Sequence, residues 1–376
     1  MAVSGRYTLF LLVIFIWPPF LLGRITLGEH ARTAFFDTGG HGWFAGDCGI
    51  FWTEDGGRSW QPRNPPSLTV DSEVPWITAA SGPSPDQVWA VVSWRQVWMT
   101  QDMGLHWRDV TPDQYRSERA GYQGLQQVVS AGRRNAFLTD PRHLFRSADQ
   151  GKTWDVLDLD PPWSINPLTG SLMHFLDARF GWYQEDDPPP SYWITRDGGQ
   201  TWDKMRRGPL AAGSVWTSID ALQFVTPKIG YLILADSGQR RIQTIYRTSD
   251  AGQSWETIGQ NLREIHSDVG LSSELYPIPD DGVLAIGGIA SRLTRIGGPP
   301  PYHLLIVLRP PDWKARLLYR TRATELLPVF ANKKRGWLFV SRISNFEVVA
   351  TSDGGNTWHP LYRANVEGDL LIAEPK

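Results

Sequence analysis

Six aspartates of this chain occupy the same local setting. Asp55, Asp102, Asp149, Asp197, Asp250 and Asp353 each stand two residues after a Ser or Thr and two before a Gly, in stretches that end on Ser/Thr-Trp. The last, at 351–358, reads Thr-Ser-Asp-Gly-Gly-Asn-Thr-Trp, and the one departure is His106, where a hydroxyl is expected. A carboxylate can do acid–base chemistry, but its neighbours here suit another task. An Asp side chain accepts hydrogen bonds from nearby backbone N–H groups and from a neighbouring hydroxyl, which fixes a tight turn. The Gly supplies a backbone angle that other residues reach only at a cost. The Trp, at the start of the next strand, can pin the hairpin down with its large apolar face. Each of these boxes is therefore expected to staple two strands together.

The first five aspartates are 47, 47, 48 and 53 positions apart, and 103 positions separate Asp250 from Asp353. Since 103 is two periods, one further unit without a box is expected between them, giving seven. Periods of this size indicate propellers or other repeat arrays. The pattern resembles the Asp-box, or BNR, repeat, and it covers nearly all of the chain after residue 31. The resemblance implies an all-β, seven-bladed propeller of four-stranded blades in which each box joins the third and fourth strands. It also implies that the box aspartates are structural rather than catalytic. The expected division is a membrane-directed segment at 1–30, the propeller at 31–368, with blade six lacking a box, and a tail at 369–376.

A chain of 376 residues could hold two or three domains, yet the repeats fill it without a linker. A net charge of −2 gives no reason to expect a nucleic-acid partner. Of the 19 tryptophans, six close the boxes, and Trp43, Trp89, Trp182 and Trp337 recur in the strand before. Phe51, Trp98, Phe145, Trp193 and Tyr246 recur four residues ahead of the box Asp. Positions repeated in this way are expected to be core. Cys48 is the only cysteine, so neither an internal disulfide nor a cysteine-based metal or redox motif can form.

Residues 7–23, after Arg6, are apolar except for Thr8. Seventeen residues is the lower limit of the roughly 17–25 that span a bilayer, and Pro18 and Pro19 would kink a helix there. No small-x-small cleavage site follows, so the segment is expected to be an uncleaved anchor, with a cleaved signal peptide as the alternative. Both put the propeller outside the cytoplasm, on a periplasmic or lumenal side.

Short strands separated by turn residues follow from residue 33, including 42–46, 49–53 and 59–63 in blade one. First strands are expected at 76–80, 125–130, 172–176 and 222–225, and blade six is expected to replace its box with the turn 309–312. If boxes join strands three and four, they share a face with the loops between strands one and two. The opposite face then carries the longest, least repetitive segments, 64–75, 112–124, 160–170, 206–218 and 288–302, and variable loops on a rigid scaffold usually carry function. Paired arginines fall there: Arg206 and Arg207, Arg240 and Arg241, Arg292 and Arg295. A guanidinium is a planar fork of donors suited to protein interfaces and carboxylates, so these six are the candidate partner-binding residues. The bland alternative is solvated charge balanced by Glu185, Asp186, Asp187 and Asp236.

Glu185-Asp186-Asp187 has hard-cation ligands, but Pro188–Pro190 follow and no calcium-loop spacing is present, so no metal is expected. No cofactor is expected either. HExxH, GxSxG and Walker-type motifs are missing from the sequence, and so is the Arg-Ile-Pro that a sialidase resemblance would require. A sortilin-like receptor would need a larger ring and a cysteine-rich segment. The short N-terminal membrane segment, the Gly-Trp strands and the boxes together look most like the photosystem II stability and assembly factor group. That resemblance implies a non-enzymatic, monomeric, membrane-tethered scaffold that binds a membrane protein or complex. A sialidase-like or other glycoside hydrolase is the alternative; it needs two facing carboxylates at the ring axis.

Overall fold

The computed structural model describes residues 31–46, 49–66, 76–116, 124–157, 173–185, 191–205, 217–236, 243–260, 270–278, 283–289, 302–342 and 345–365. The expected membrane segment and the tail lie outside these, as does Cys48. No helix among the described residues is long and apolar enough to cross a membrane.

The described strands form seven four-stranded antiparallel sheets, each in simple sequence order. They are the blades of a propeller, spanning residues 31–62, 77–109, 127–157, 173–205, 217–260, 270–322 and 325–365. Composition explains which strand sits where. The second strands Gly42–Gly46, Val88–Val92 and Gly336–Ser341 are buried at every position. A strand covered on both faces needs a continuous apolar run, and these sequences supply one. Outer strands such as Arg316–Arg322 are mostly exposed and carry the polar residues. First strands line the axis, where side chains bridge neighbours: Ser81 Oγ lies 2.9 Å from Ser130 Oγ, and Gln127 Nε2 donates to the Met173 carbonyl at 2.8 Å.

Seven apolar clusters fill the seams between adjacent blades. Trp43, Ile50 and Trp52 of blade one meet Ile77, Val88 and Ala90 of blade two, for example. The seam that closes the ring is built in the same way, from Phe36, Phe44 and Phe51 of blade one against Trp337, Phe339 and Phe346 of blade seven. All four strands of blade one come from one end of the described chain and all four of blade seven from the other. Closure therefore uses side-chain packing, without strand exchange.

Two expectations need correction. The first strand of blade two is Ile77–Ser81, so Trp76 precedes it and stands exposed. The fourth strand of blade one is only Gln61–Pro62, because Ser59 and Trp60 are held in the box turn. The fourth strands of blades two to four, Arg108–Asp109, Asp155–Leu157 and Asp203–Met205, are equally short.

Candidate partner-binding face

The six boxes share one hydrogen-bond pattern. In blade one, Thr53 Oγ1 donates to Asp55 Oδ1 at 2.8 Å and accepts from Gly57 N at 2.8 Å. Ser59 donates to both carboxylate oxygens, through N at 2.9 Å and Oγ at 2.6 Å. The boxes of Asp102, Asp149, Asp197, Asp250 and Asp353 repeat it. His106 fills the hydroxyl's role: its Nδ1 lies 2.7 Å from Asp102 Oδ2 and its N donates to Oδ1 at 2.9 Å. At Asp149 the Thr153 hydroxyl, aided by Thr153 N, Ser147 and Lys152, outweighs partial burial and pulls the carboxyl down to about 2. At Asp353 the bonds from Thr357 and Thr351 push in the same direction. These carboxylates are occupied in the turn, which suits structure and not catalysis.

The boxes also do something that the sequence did not signal. The residue after each Asp takes a left-handed conformation, with φ of 78° at Gly56, 61° at Met103 and 67° at Gln150. This orientation points its N–H to the loop between strands one and two of the same blade, as in Gly56 N to Gly40 O (3.1 Å) and Gly354 N to Lys334 O (2.8 Å). The two loop sets therefore share a face. The same residue's carbonyl accepts from the preceding blade: Trp337 Nε1 to Gly56 O at 2.8 Å, Arg63 to Met103 O at 3.0 Å, Arg108 to Gln150 O at 2.6 Å and Arg309 to Gly354 O at 3.2 Å. Box tryptophans also wedge into the seam with the preceding blade, while Trp60 and Trp202 bond their own box turns through Gly57 O at 3.2 Å and Gly199 O at 3.1 Å. Trp107, for instance, meets Trp52 edge-on at 6.1 Å. Blade six, without a box, turns at 309–312 and still puts Trp313 edge-on to Tyr231 of blade five at 6.1 Å.

On the opposite face the described residues show no repeated arrangement. The six arginines singled out by sequence, Arg206, Arg207, Arg240, Arg241, Arg292 and Arg295, lie outside the described residues, as do Asp186 and Asp187. Other groups are found on this face. At its blade-six rim, Arg320 and Arg322 stack on the Tyr302 ring, their guanidinium carbons 4.3 and 4.7 Å from its centroid. Cross-strand pairing of Tyr302 with Arg322 brings them together. Both arginines are exposed, and neither has a carboxylate partner among the described residues. Arg342 of blade seven is different: it is tied to Glu347 at 2.9 Å and to the Arg322 carbonyl at 3.2 Å, bridging two blades. The alternation Arg320-x-Arg322 on one strand was the available sequence signal, since residues two apart share a strand face.

Blades two and three add a second cluster. Trp76 and Trp94 are exposed beside one another, with Ser93 N donating to the Trp76 carbonyl at 3.0 Å. Next to them, buried Asp140 accepts from the Tyr115 hydroxyl and from His143 N, with His143 Nδ1 at 2.9 Å. Burial, with the adjacent carboxylate, pushes the Tyr115 phenol far above its ordinary range. A cavity of about 310 Å³ between the first strands of blades six, seven and one is lined by Arg32, Thr33, Ala34, Tyr276 and residues 327–330, with no Asp or Glu among these lining residues. Among the described residues no group of three or more His, Cys, Asp or Glu is placed to hold a metal ion.

No protein-family model and no curated protein matches the sequence. Among solved structures the chain is similar to YCF48 from Cyanidioschyzon merolae, with 18% identity over 79% of this chain and 86% of that one, at a TM-score of 0.46. YCF48 bound to a D1 peptide is similar at 17% identity over 68% and 89%, with a TM-score of 0.37. The GH74 enzyme of Niastella koreensis is similar at 11% identity and a TM-score of 0.43, covering 89% of this chain, which spans 45% of the enzyme. Likeness at this level reflects repeated four-stranded sheets and does not choose between a partner-binding and a hydrolytic propeller.

Proposed function

We propose that this chain is a non-enzymatic scaffold, tethered to a membrane through residues 7–23 on the extracytoplasmic side. On this reading it uses the face opposite the boxes to bind a protein partner, as an assembly factor or accessory subunit of a membrane complex. The observation that carries the proposal is the Arg320–Tyr302–Arg322 stack. Two exposed guanidinium groups without an acidic partner among the described residues are held in place on a strand, and arginine and tyrosine are the residue types enriched at protein interfaces. The sequence-predicted Arg292 and Arg295 precede Tyr302 in the chain and lie outside the described residues. A glycosidase needs two carboxylates flanking the scissile bond. Among the described residues the cavity lined by Arg32, Tyr276 and residues 327–330 holds no carboxylate, and Asp140 is committed to its turn.

The test is purification of the full-length tagged protein from its native membranes in mild detergent, beside a double variant Arg320→Glu, Arg322→Glu. One membrane complex is expected to accompany the unaltered protein and to be lost from the variant. A protein that emerges alone, or a variant that retains the same complex, overturns the proposal.

A further inference from the structure

Five large apolar residues are notably exposed among the described residues. Leu105 sits in a box turn, while Val156 and Leu317 lie on outer strands of different blades, so these three stand apart. Trp76 and Trp94, 52% and 38% exposed, are neighbours and both lie on the face opposite the boxes. Trp94 occupies a hairpin turn where the backbone makes an apolar residue costly. Ser93 and Trp94 both have positive φ, 49° and 63°, a region that glycine or asparagine enters with less strain. The turn is nevertheless fixed, by Arg95 N to the Val92 carbonyl at 3.1 Å and Leu125 N to the Trp94 carbonyl at 2.7 Å. Packing does not account for a large indole held out to solvent there. Arg95 in the same turn and Arg142 in the adjoining hairpin of blade three are exposed and have no ion-pair partner among the described residues.

The chain's entry point indicates what covers this patch. The first strand of blade one begins at Ala31, on this same face, because its other end leads into the loop that bonds the box. Only residues 24–30 separate it from the apolar stretch 7–23. Seven residues, even fully extended, reach about 25 Å. A propeller on so short a tether must present the tethered face to the bilayer. Indoles favour the water–lipid interface, and guanidinium groups suit lipid phosphates.

We propose that the propeller rests on the bilayer through this face, with Trp76 and Trp94 in the headgroup region and Arg95 and Arg142 against lipid phosphates. This rests on residues 7–23 being a membrane anchor. The experiment uses the full-length protein with Cys48→Ser, reconstituted into vesicles of phosphatidylcholine and phosphatidylglycerol with no other protein. An environment-sensitive dye is placed at Arg95→Cys or, on the box face, at Lys333→Cys. A nitroxide carried by lipid headgroups is expected to quench the dye at 95 several-fold more than at 333, and Trp76→Ala with Trp94→Ala should remove most of that difference. Flotation with the vesicles but equal, weak quenching at both sites overturns the docking while leaving the anchor standing, and the patch then belongs to a protein partner. Failure to float overturns both.

Discussion

The two faces of this propeller are built on opposite plans. On the box face six turns repeat one arrangement, a carboxylate satisfied by two hydroxyl or imidazole donors and backbone N–H groups, followed by a left-handed residue that bonds its own blade and, in four of them, the one before. On the other face no arrangement recurs among the described residues. It has a Tyr between two arginines at blade six, two exposed tryptophans at blade two and a buried Asp with Tyr and His between blades two and three. Among the described residues regularity marks the face whose turns tie blade to blade, and the proposed partner site lies on the other.

Substitutions can break or sharpen that contrast. The largest loss is expected at Trp337, 1% exposed, stacked on Phe36 at 3.8 Å and bonded to Gly56 O across the closing seam. Trp337→Ala should cost about 3–5 kcal/mol, read from the denaturation midpoint. Asp149→Ala should cost less, about 0.5–1.5 kcal/mol, because the exposed donors of Lys152 and Thr153 turn to water and the turn loses its shared acceptor.

The box carboxylates also set a pH dependence. Their folded values lie below the value of about 3.9 expected in an unfolded chain, so the stability they add is complete above that pH. It is lost as pH falls through the folded values, near 2 for Asp149. A stability titration should therefore show a steep acid limb below about pH 4, shallower in Asp149→Ala. A flat limb would mean that the boxes contribute little to folding.

A gain is expected at Gln150, held at a φ of 67°. Gln150→Gly should relieve left-handed strain worth slightly more than glycine's entropy cost, raising stability by about 0.5–1 kcal/mol. The smallest effect belongs to the other face: Arg320→Glu with Arg322→Glu should leave folding within about 0.5 kcal/mol while abolishing partner retention. A large loss of stability there would place the pair with the scaffold and erase the contrast between the faces.

The box face was legible because its function is local. An Asp, its hydroxyls and a Gly within seven residues reveal their bonds by spacing alone, and even His106 could be placed by its position. The seam contacts were not, because Trp337 meets Gly56 across 281 positions and no local pattern announces the pair. Trp76 reads as the start of a strand because apolar residues usually belong there, although Trp94, in a turn between two apolar runs, is a sign of exposed aromatics. Arg320 and Arg322 were overlooked because searching loops for charge passes over an edge strand. The arginines that search did find lie outside the described residues.

The way the ring closes has a consequence for the order of the chain. The first and last described strands meet through packing of the kind found at every other seam, so no blade is distinguished as the beginning. A gene rearranged to open between blades three and four, with a short linker joining residues 365 and 31, should encode the same disc.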